Sequence, residues 1–441
     1  MSKLEKVPSK STKAERHKKT RHLTETGVYC RYHTNVYPDK ERCLVEQSIC
    51  HSEAIYKSLL KNHFCEALTK IALKHIMTIL ITAFCCGYKG KTTQFAQASA
   101  AHRTTVAHFL NHGKWDSRKL ETTLRAVVIN KIYREAMRTG KPIFCFADDT
   151  VSSKTKPSSK ALHPIQDAYC HYSHLKRGKD YGHQAVGITL SCGELTLNYA
   201  IVLYDKSKSK IQIVREIAEE LPNAPVPAYF LCDSGYACDK IISAFANKGF
   251  RTIGAIRTNR LVRCESGKAQ IGQLAPSFHL AGVTPDLVTV GKRQFFVYRL
   301  EAGWKGVPNA VVLISYPRNA FGVASALRAF VCTNPSLSTT TILNFYMKRW
   351  NIEVFFRQAK QKLALDKYQI RSAVGIQRFW LLMSLAYLLC CLESGRTSFE
   401  DGYAFFQKAI QTERVEFIYR CAQNQIPMEK VVSLLPVSCA I

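Results

Sequence analysis

Near residue 141 the apolar pattern of this chain changes period, and that change limits the fold more than any other feature. From about 50 to 138 the sequence carries long helical patterns and no strand alternation. After that point KPIFCFADDT alternates as a strand, and GHQAVGITLSC with ELTLNYAIVLYD reads as a hairpin turning near Gly193. KIQIVREIAEEL is an amphipathic helix. VPAYFLCDSGYA is a strand ending at Asp233, CDKIISAFANKGF a helix closing near Gly249, and RTIGAI a further strand. The order strand, strand, strand, helix, strand, helix, strand describes a mixed α/β sheet begun by a meander. From about 257 to 335, LVTVG, RQFFVYRLEA, NAVVLISYP and LRAFVCT are strand-like runs between Gly, Pro and Asn. Helical periodicity resumes at Ser338 and holds to the end, broken near Gly395 and Pro427. No internal repeat is present, and biased composition is confined to the basic N-terminus.

Charge narrows the partners. The 441 residues include 62 Lys and Arg against 33 Asp and Glu, a formal net charge of +29. Hydrophobic residues at 46% and charged residues at 22% are ordinary values that exclude wholesale disorder. A compact body this positive repels itself unless a polyanion is its normal partner. Nucleic acid is the leading candidate and an acidic membrane surface the second. Residues 1–22 hold eight Lys or Arg and two Glu, so most of the charge lies beyond them. Residues 1–25 read as a basic disordered arm that contacts phosphates.

The apolar runs Ile76 to Tyr88 and Phe379 to Leu392 fall short of the roughly 20 residues a membrane span needs, and read as buried helices. The opening MSKLEKVPSKSTKAERHKKTRH lacks the apolar stretch of a signal peptide. There are 17 Cys and no CxxC, which suits a reduced, intracellular chain with no membrane partner. Cys30, His33, Cys43, Cys50 and His51 are zinc-ligand types, but their spacing fits no standard finger, so zinc is the weaker reading.

Within the helical first part lies FAQASAAHRTTVAHFLNHGKWD. Phe95, Ala96 and Ala100 form a short apolar stripe, and Val106, Phe109 and Leu110 follow at helical spacing. Ala100 and Ala101 would let two helices cross closely. The segment reads as a candidate helix-turn-helix with Arg103, Thr104, Thr105 and His108 exposed on the second helix. An ordinary helical hairpin fits it equally well, and the positive charge tilts the choice toward DNA.

Two strands end in acid: Asp148 and Asp149 close IFCFADDT, and Asp233 closes YFLCDSG. An acid at the C-terminal end of an apolar strand sits where open α/β sheets bind ligands. A third piece is the helix TTILNFYMKRWNIEVFFRQAKQKL. On a helical wheel Tyr346, Arg349, Glu353 and Lys360 fall inside an arc of about 60°. Phe345, Ile352, Phe355, Phe356, Ala359 and Leu363 form the adjacent apolar face, which packs on the sheet. A row of one acid among three phosphate-holding groups suits metal-assisted phosphoryl transfer, with carboxylates to fix Mg²⁺ and cations to hold a DNA strand. On that reading Arg349 and Lys360 are exposed along the DNA and contribute little to stability.

The series Tyr346-x2-Arg349-x3-Glu353-x6-Lys360 resembles, with no departure in spacing, the YREK signature of DDE transposases from bacterial insertion sequences. FADDT and YFLCDSGYA resemble the motifs around that superfamily's first and second Asp. GHQAVGITL and AHRTTVAHFLNHGKWD are also similar to it, and the resemblance runs from about 90 to 395. It implies an RNase H-like mixed sheet with flanking helices, a β-rich insertion before the last catalytic residue, and an all-α N-terminal DNA-binding region. The divisions are then a helical DNA-binding region (26–140), the first part of the core (141–256), the insertion (257–337), the second part with the YREK helix (338–395) and a helical C-terminal region (396–441).

The resemblance further implies that Asp148, Asp233 and Glu353 are catalytic and hold two Mg²⁺ ions, with Mn²⁺ as a substitute. Asp148 and Asp149 compete for the first position. The family's usual Asp-x-Thr favours Asp148 with Thr150, and strand alternation puts only one of the two toward the metal. Tyr346, Arg349 and Lys360 would grip phosphates, with Arg103, Thr104 and Thr105 as further DNA contacts. Implied partners are double-stranded DNA with terminal inverted repeats, target DNA and a second copy of the chain in a paired-end complex, at the nucleoid in the cytoplasm. Members often form a DNA hairpin and stack an aromatic residue of the insertion on a flipped base. Trp304 is the candidate here, and a core Trp is the plainer reading.

Other readings are an RNase H-like nuclease that hydrolyses without joining, and a catalytically silent, transposase-derived DNA-binding protein. No acid or YREK position is lost, which speaks against the silent form. Cys170, His171, His174 and His183 look metal-like but fall in no motif. Ser234 has no GxSxG context, and no GxxxxGK[ST] is present, so neither a hydrolase nucleophile nor ATP is expected.

Overall fold

Capping residues punctuate the helical first part. In the computed structural model, which describes residues 52–434 apart from 100–101, 163, 174–176, 265–266, 305 and 394–397, Ser52 caps α1 (Glu53–Lys61) and Thr69 caps α2 (Lys70–Phe84). Helices α3 (Thr92–Ser99) and α4 (Arg103–Asn111) follow. Asp116 then opens the long α5 (Ser117–Thr139) by accepting the Lys119 backbone N–H at 2.9 Å, and Gly140 closes it at φ +66. The first apolar run forms a buried helix, as read, but the helix stops at Phe84 rather than Tyr88. The basic arm, the Cys30, His33, Cys43, Cys50 and His51 cluster, and Ala100 and Ala101 lie outside the described residues.

A mixed sheet follows. Its strands are β1 (Ile143–Ser153), β2 (Tyr169–Ser173), β3 (Gly178–Cys192) and β4 (Leu195–Leu203), then β5 (Ala228–Cys232) and β6 (Phe250–Ile256). Helices α6 (Lys210–Glu220) and α7 (Asp239–Ala246) flank β5 in sequence. The hairpin turn is at Gly193, φ +59, a left-handed conformation that costs glycine little. β1 runs antiparallel to β3 and parallel to β5, and β5 runs parallel to β6. The short β2 is an addition to the sequence reading.

The strand-rich block does not stand apart from this sheet. It contains β7 (Leu261–Cys264), β8 (Gly267–Gln270), α8 (Ile271–Leu280), β9 (Asp286–Val290), β10 (Arg293–Trp304), β11 (Val307–Pro317) and β12 (Arg328–Cys332). β12 pairs antiparallel with both β6 and β11, so one twelve-stranded sheet runs β2-β3-β1-β5-β6-β12-β11-β10-β7-β8, with β4 on β3 and β9 on β10. Helix α8 escaped the sequence reading because it is short and carries Pro276 inside.

After β12 come α9 (Thr339–Met347), α10 (Trp350–Lys362), α11 (Ala373–Glu393), α12 (Phe399–Gln423) and α13 (Met428–Leu434). Among the described residues α11 alone is long and apolar enough to cross a membrane, but 83% of that stretch is buried inside the fold. It packs on β4, α2, α4 and α12, and Gln377 ties it to β4 through the Leu203 N–H and the Ile201 carbonyl, both at 2.8 Å.

Candidate active site

The parallel pairing of β1 with β5 sets two acids on neighbouring strands. Ala147 lies opposite Cys232 in that register, so Asp148 and Asp233 are the next residues on each. β5 ends there, and the Asp233 Oδ1 accepts the Gly235 backbone N–H at 2.9 Å to turn the chain. β1 does not end. It continues to Ser153 because β3 still supplies backbone partners after β5 has stopped. Asp148 and Asp149, read from sequence as a strand end, therefore lie mid-strand, at the point where one neighbour leaves.

The third acid arrives on α10. The segment read as one helix is two, α9 and α10, joined at Lys348 and Arg349. Backbone bonds from Lys348 to Phe345 and from Arg349 to Tyr346, both 3.0 Å, tighten the junction into a 3₁₀-like turn. The row of four residues survives it. Arg349 Nη1 donates to Asp148 Oδ2 at 2.8 Å and Nη2 to Glu353 Oε1 at 3.0 Å. Lys360 Nζ donates to the Thr150 hydroxyl at 2.6 Å and the Val151 carbonyl at 3.0 Å. Tyr346 lies close enough to Arg349 to feel its charge and meets Phe330 edge-on at 4.7 Å.

Ile352, Phe355, Phe356, Ala359 and Leu363 are buried, the face read as packing on the sheet. Gly187 lies opposite Asp148 across the β1–β3 ladder, and a Cβ there would stand 2.6 Å from the Phe356 ring. The absence of a side chain lets α10 approach the strand beside the acid. The exposure expected of Arg349 and Lys360 is not found. The Arg349 side chain is only 18% exposed, and both cations are bonded within the chain. A helical wheel gives the residues that share a face but not what that face meets.

Burial raises the Asp148 carboxyl to about 6, against the pull of Arg349 and the Asp149 backbone N–H and with added repulsion from Asp233 and Asp149. Burial also works against the Arg349 charge, yet Asp148, Tyr346 and Glu353 outweigh it and hold the guanidinium above its ordinary value. Asp149 bonds Gln184 and Lys210 at the start of α6. Alternation thus separates the two acids: Asp148 meets Arg349, and Asp149 meets the other layer.

Among the described residues no three His, Cys, Asp or Glu side chains stand close enough to share an ion. The donor set of Asp148, Asp233 and Glu353 nevertheless fits a hard divalent cation. It is all oxygen, one carboxyl is desolvated with a raised proton affinity, and one guanidinium bridges two of the three.

The remaining candidates fall elsewhere. Arg103, Thr104, Thr105 and His108 are exposed on α4, while Val106, Phe109 and Leu110 are buried. Among the described residues none of the four bonds to the carboxylates. Trp304 closes β10 beneath the Arg260 guanidinium at 4.9 Å, and its indole N–H is buried with no hydrogen-bond partner among the described residues. Gly306 in the same hairpin, φ +84, approaches Asp239 at the start of α7 so closely that a Cβ would lie 2.9 Å from the Asp239 Cβ. His183 is a core residue, bonded to the Tyr368 hydroxyl and the Gln166 carbonyl, both at 2.9 Å. His174 lies outside the described residues. Sequence reasoning passed over Tyr236, which is buried near the acids. The available signal was its place three residues after Asp233.

The family model described as "Transposase DDE domain" matches residues 140–389 of the 441. No curated protein matches the chain.

Proposed function

The chain belongs to the transposase DDE-domain family, and from that membership we propose that it cuts a DNA element at its ends and joins them to target DNA by cut-and-paste. Transposase activity, polynucleotidyl transfer or endonuclease chemistry on DNA, and the use of divalent metal ions come with the family. One observation carries the finer reading. Asp148 and Arg349, 201 residues apart in sequence, meet at 2.8 Å, and the same guanidinium holds Glu353.

On this reading Asp148, Asp233 and Glu353 would hold Mg²⁺, or Mn²⁺ in its place, which would supply Lewis-acid activation of the attacking hydroxyl and charge stabilisation of the leaving 3′ oxygen. Asp148 serves as its carboxylate, and Arg349 favours that form in the DNA-free chain. Tyr346, Arg349 and Lys360 contact phosphates beside the cut, which requires Arg349 to turn from the carboxylates to the strand. Arg103, Thr104 and Thr105 contact DNA from a helix-turn-helix of α3 and α4. The core is RNase H-like, with β7 to β12 as its insertion. The substrate ends are terminal inverted repeats held by two copies of the chain, at the nucleoid in the cytoplasm.

The test uses supercoiled plasmid carrying the DNA that flanks the gene, in Mg²⁺. Asp148→Ala, Asp233→Ala and Glu353→Ala each abolish nicking and joining yet leave gel-shift binding largely intact, because few phosphate contacts are lost. Asp149→Ala keeps near wild-type cleavage. A reversed result for Asp148 and Asp149 overturns the assignment of the first acid. Cleavage with no joined product favours the hydrolytic nuclease.

A further inference from the structure

The last carbonyls of a helix find no partner within it, and at the end of α4 the partner comes from α11. Arg378 Nη1 donates to the Leu110 carbonyl at 3.1 Å and the Phe109 carbonyl at 3.4 Å, and Nη2 to the Trp115 carbonyl at 3.3 Å. The same guanidinium lies over the Trp115 ring at 4.9 Å, while Trp115 stacks on Phe109 and donates to its carbonyl at 3.1 Å. Ser372, just before α11, bonds Asn111 at the end of α4, and a Cβ at Gly375 would collide with that Asn111. The start of α11 therefore holds the helix that exposes Arg103, Thr104 and Thr105 at its other end. Farther along, α11 holds the helix of the third acid. The Trp380 indole donates to the Leu365 carbonyl beyond α10 at 3.1 Å, and the Tyr387 hydroxyl to Gln358 of α10 at 2.9 Å. Phe355 of α10 meets the Tyr387 ring edge-on at 4.8 Å. Arg378 and Tyr387 stand on one helix, about 14 Å apart along its axis.

We propose that Arg378 is a positioning residue and α11 a spacer, which together set the distance from the DNA segment met by α4 to the bond cut beside Glu353. The inference rests on two readings, that α4 meets DNA and that Asp148, Asp233 and Glu353 cut it. The part of the wild-type footprint on the flanking DNA that Arg103→Ala loses marks the segment under α4. Two base pairs are then inserted between that segment and the cut, and the nicked bond is mapped on both plasmids. In wild type the cut is expected to keep its distance from the segment, or to be lost. A cut that stays with the terminal sequence overturns the spacer. Arg378→Gln is expected to spread its nicks over neighbouring bonds, because a small misplacement of bound DNA changes which phosphate meets the acids. Arg378→Lys keeps the charge without the planar fork, so its spread should be narrower. Nicking at the wild-type bond alone by Arg378→Gln, however slow, shows a structural role only and overturns the positioning. If Arg378→Gln melts too low to nick, the same outcome in Arg378→Lys overturns it. A footprint that Arg103→Ala leaves whole removes the α4 reading, and nicking that survives Asp233→Ala removes the site reading. The inference falls with either.

Discussion

Arg349→Gln is the sharpest probe of the carboxylate cluster, because the structure places the arginine inside the protein rather than along its surface. The substitution removes the charge-assisted bonds to Asp148 at 2.8 Å and to Glu353 at 3.0 Å. Such a bond is worth about 1.5–3 kcal/mol when its partners are shielded. The Asp148 side chain is 15% exposed and qualifies, whereas Glu353 at 38% is partly screened and adds less. The loss at pH 7 is then on the order of 2–4 kcal/mol, most of it from an Asp148 carboxylate left buried without its counter-charge. Arg349 draws the Asp148 carboxyl downward, so without it Asp148 takes up a proton more readily. The deficit should therefore shrink as pH falls from 7 toward 5. Melting curves at both pH values, with and without Mn²⁺, read this out. Mn²⁺ should restore part of the lost stability at pH 7 by supplying the missing positive charge. A variant that melts with wild type at pH 7, or whose deficit ignores both pH and Mn²⁺, would refute the reasoning.

Two further outcomes follow from the same geometry. The folded Asp148 carboxyl at about 6 lies above its unfolded value near 4, so its contribution to stability is full below about 4 and is lost as pH rises through about 6. Cation binding has the opposite sign: Mn²⁺ affinity measured by calorimetry should fall as pH drops through about 6, with proton release on binding, and Asp148→Asn should flatten that dependence. Gly187→Val places a branched side chain where a single Cβ would already lie 2.6 Å from Phe356. It should cost about 1–3 kcal/mol in denaturant unfolding and impair nicking as α10 is pushed from β1, whereas an unchanged midpoint would mean that Phe356 yields freely.

Local pattern carried the parts of this fold that are local. The hairpin at Gly193, the helix before β5 and the apolar face of α10 were legible because alternation and 3.6-residue periodicity are written within a few turns of chain. The kinship of Tyr346, Arg349, Glu353 and Lys360 was legible for the same reason. What they meet was not. Asp148 as partner of Arg349 and Thr150 as partner of Lys360 depend on β1 running past the end of β5, a matter of strand pairing between distant segments. β12 reads from sequence as one more strand of a separate block, and only its pairing with β6 makes the block an extension of the same sheet.

That pairing of β12 also bears on when the acids can meet. β12 leads within a few residues to Ser338, the cap of α9, and so to the helix pair that brings Arg349 and Glu353 to β1. The helices are anchored on one side by a strand lodged in mid-sheet, between β6 and β11. A growing polypeptide holds Asp148 and Asp233 before Arg349 and Glu353 are made, and in the finished fold these two follow a strand paired to β6. Contacts of such long sequence separation form late and slowly. A chain released early, or one in which this region misfolds, would thus carry two acids and no third. On the proposed reading it would bind DNA without breaking it, so that only a finished protein can cut the genome that encodes it.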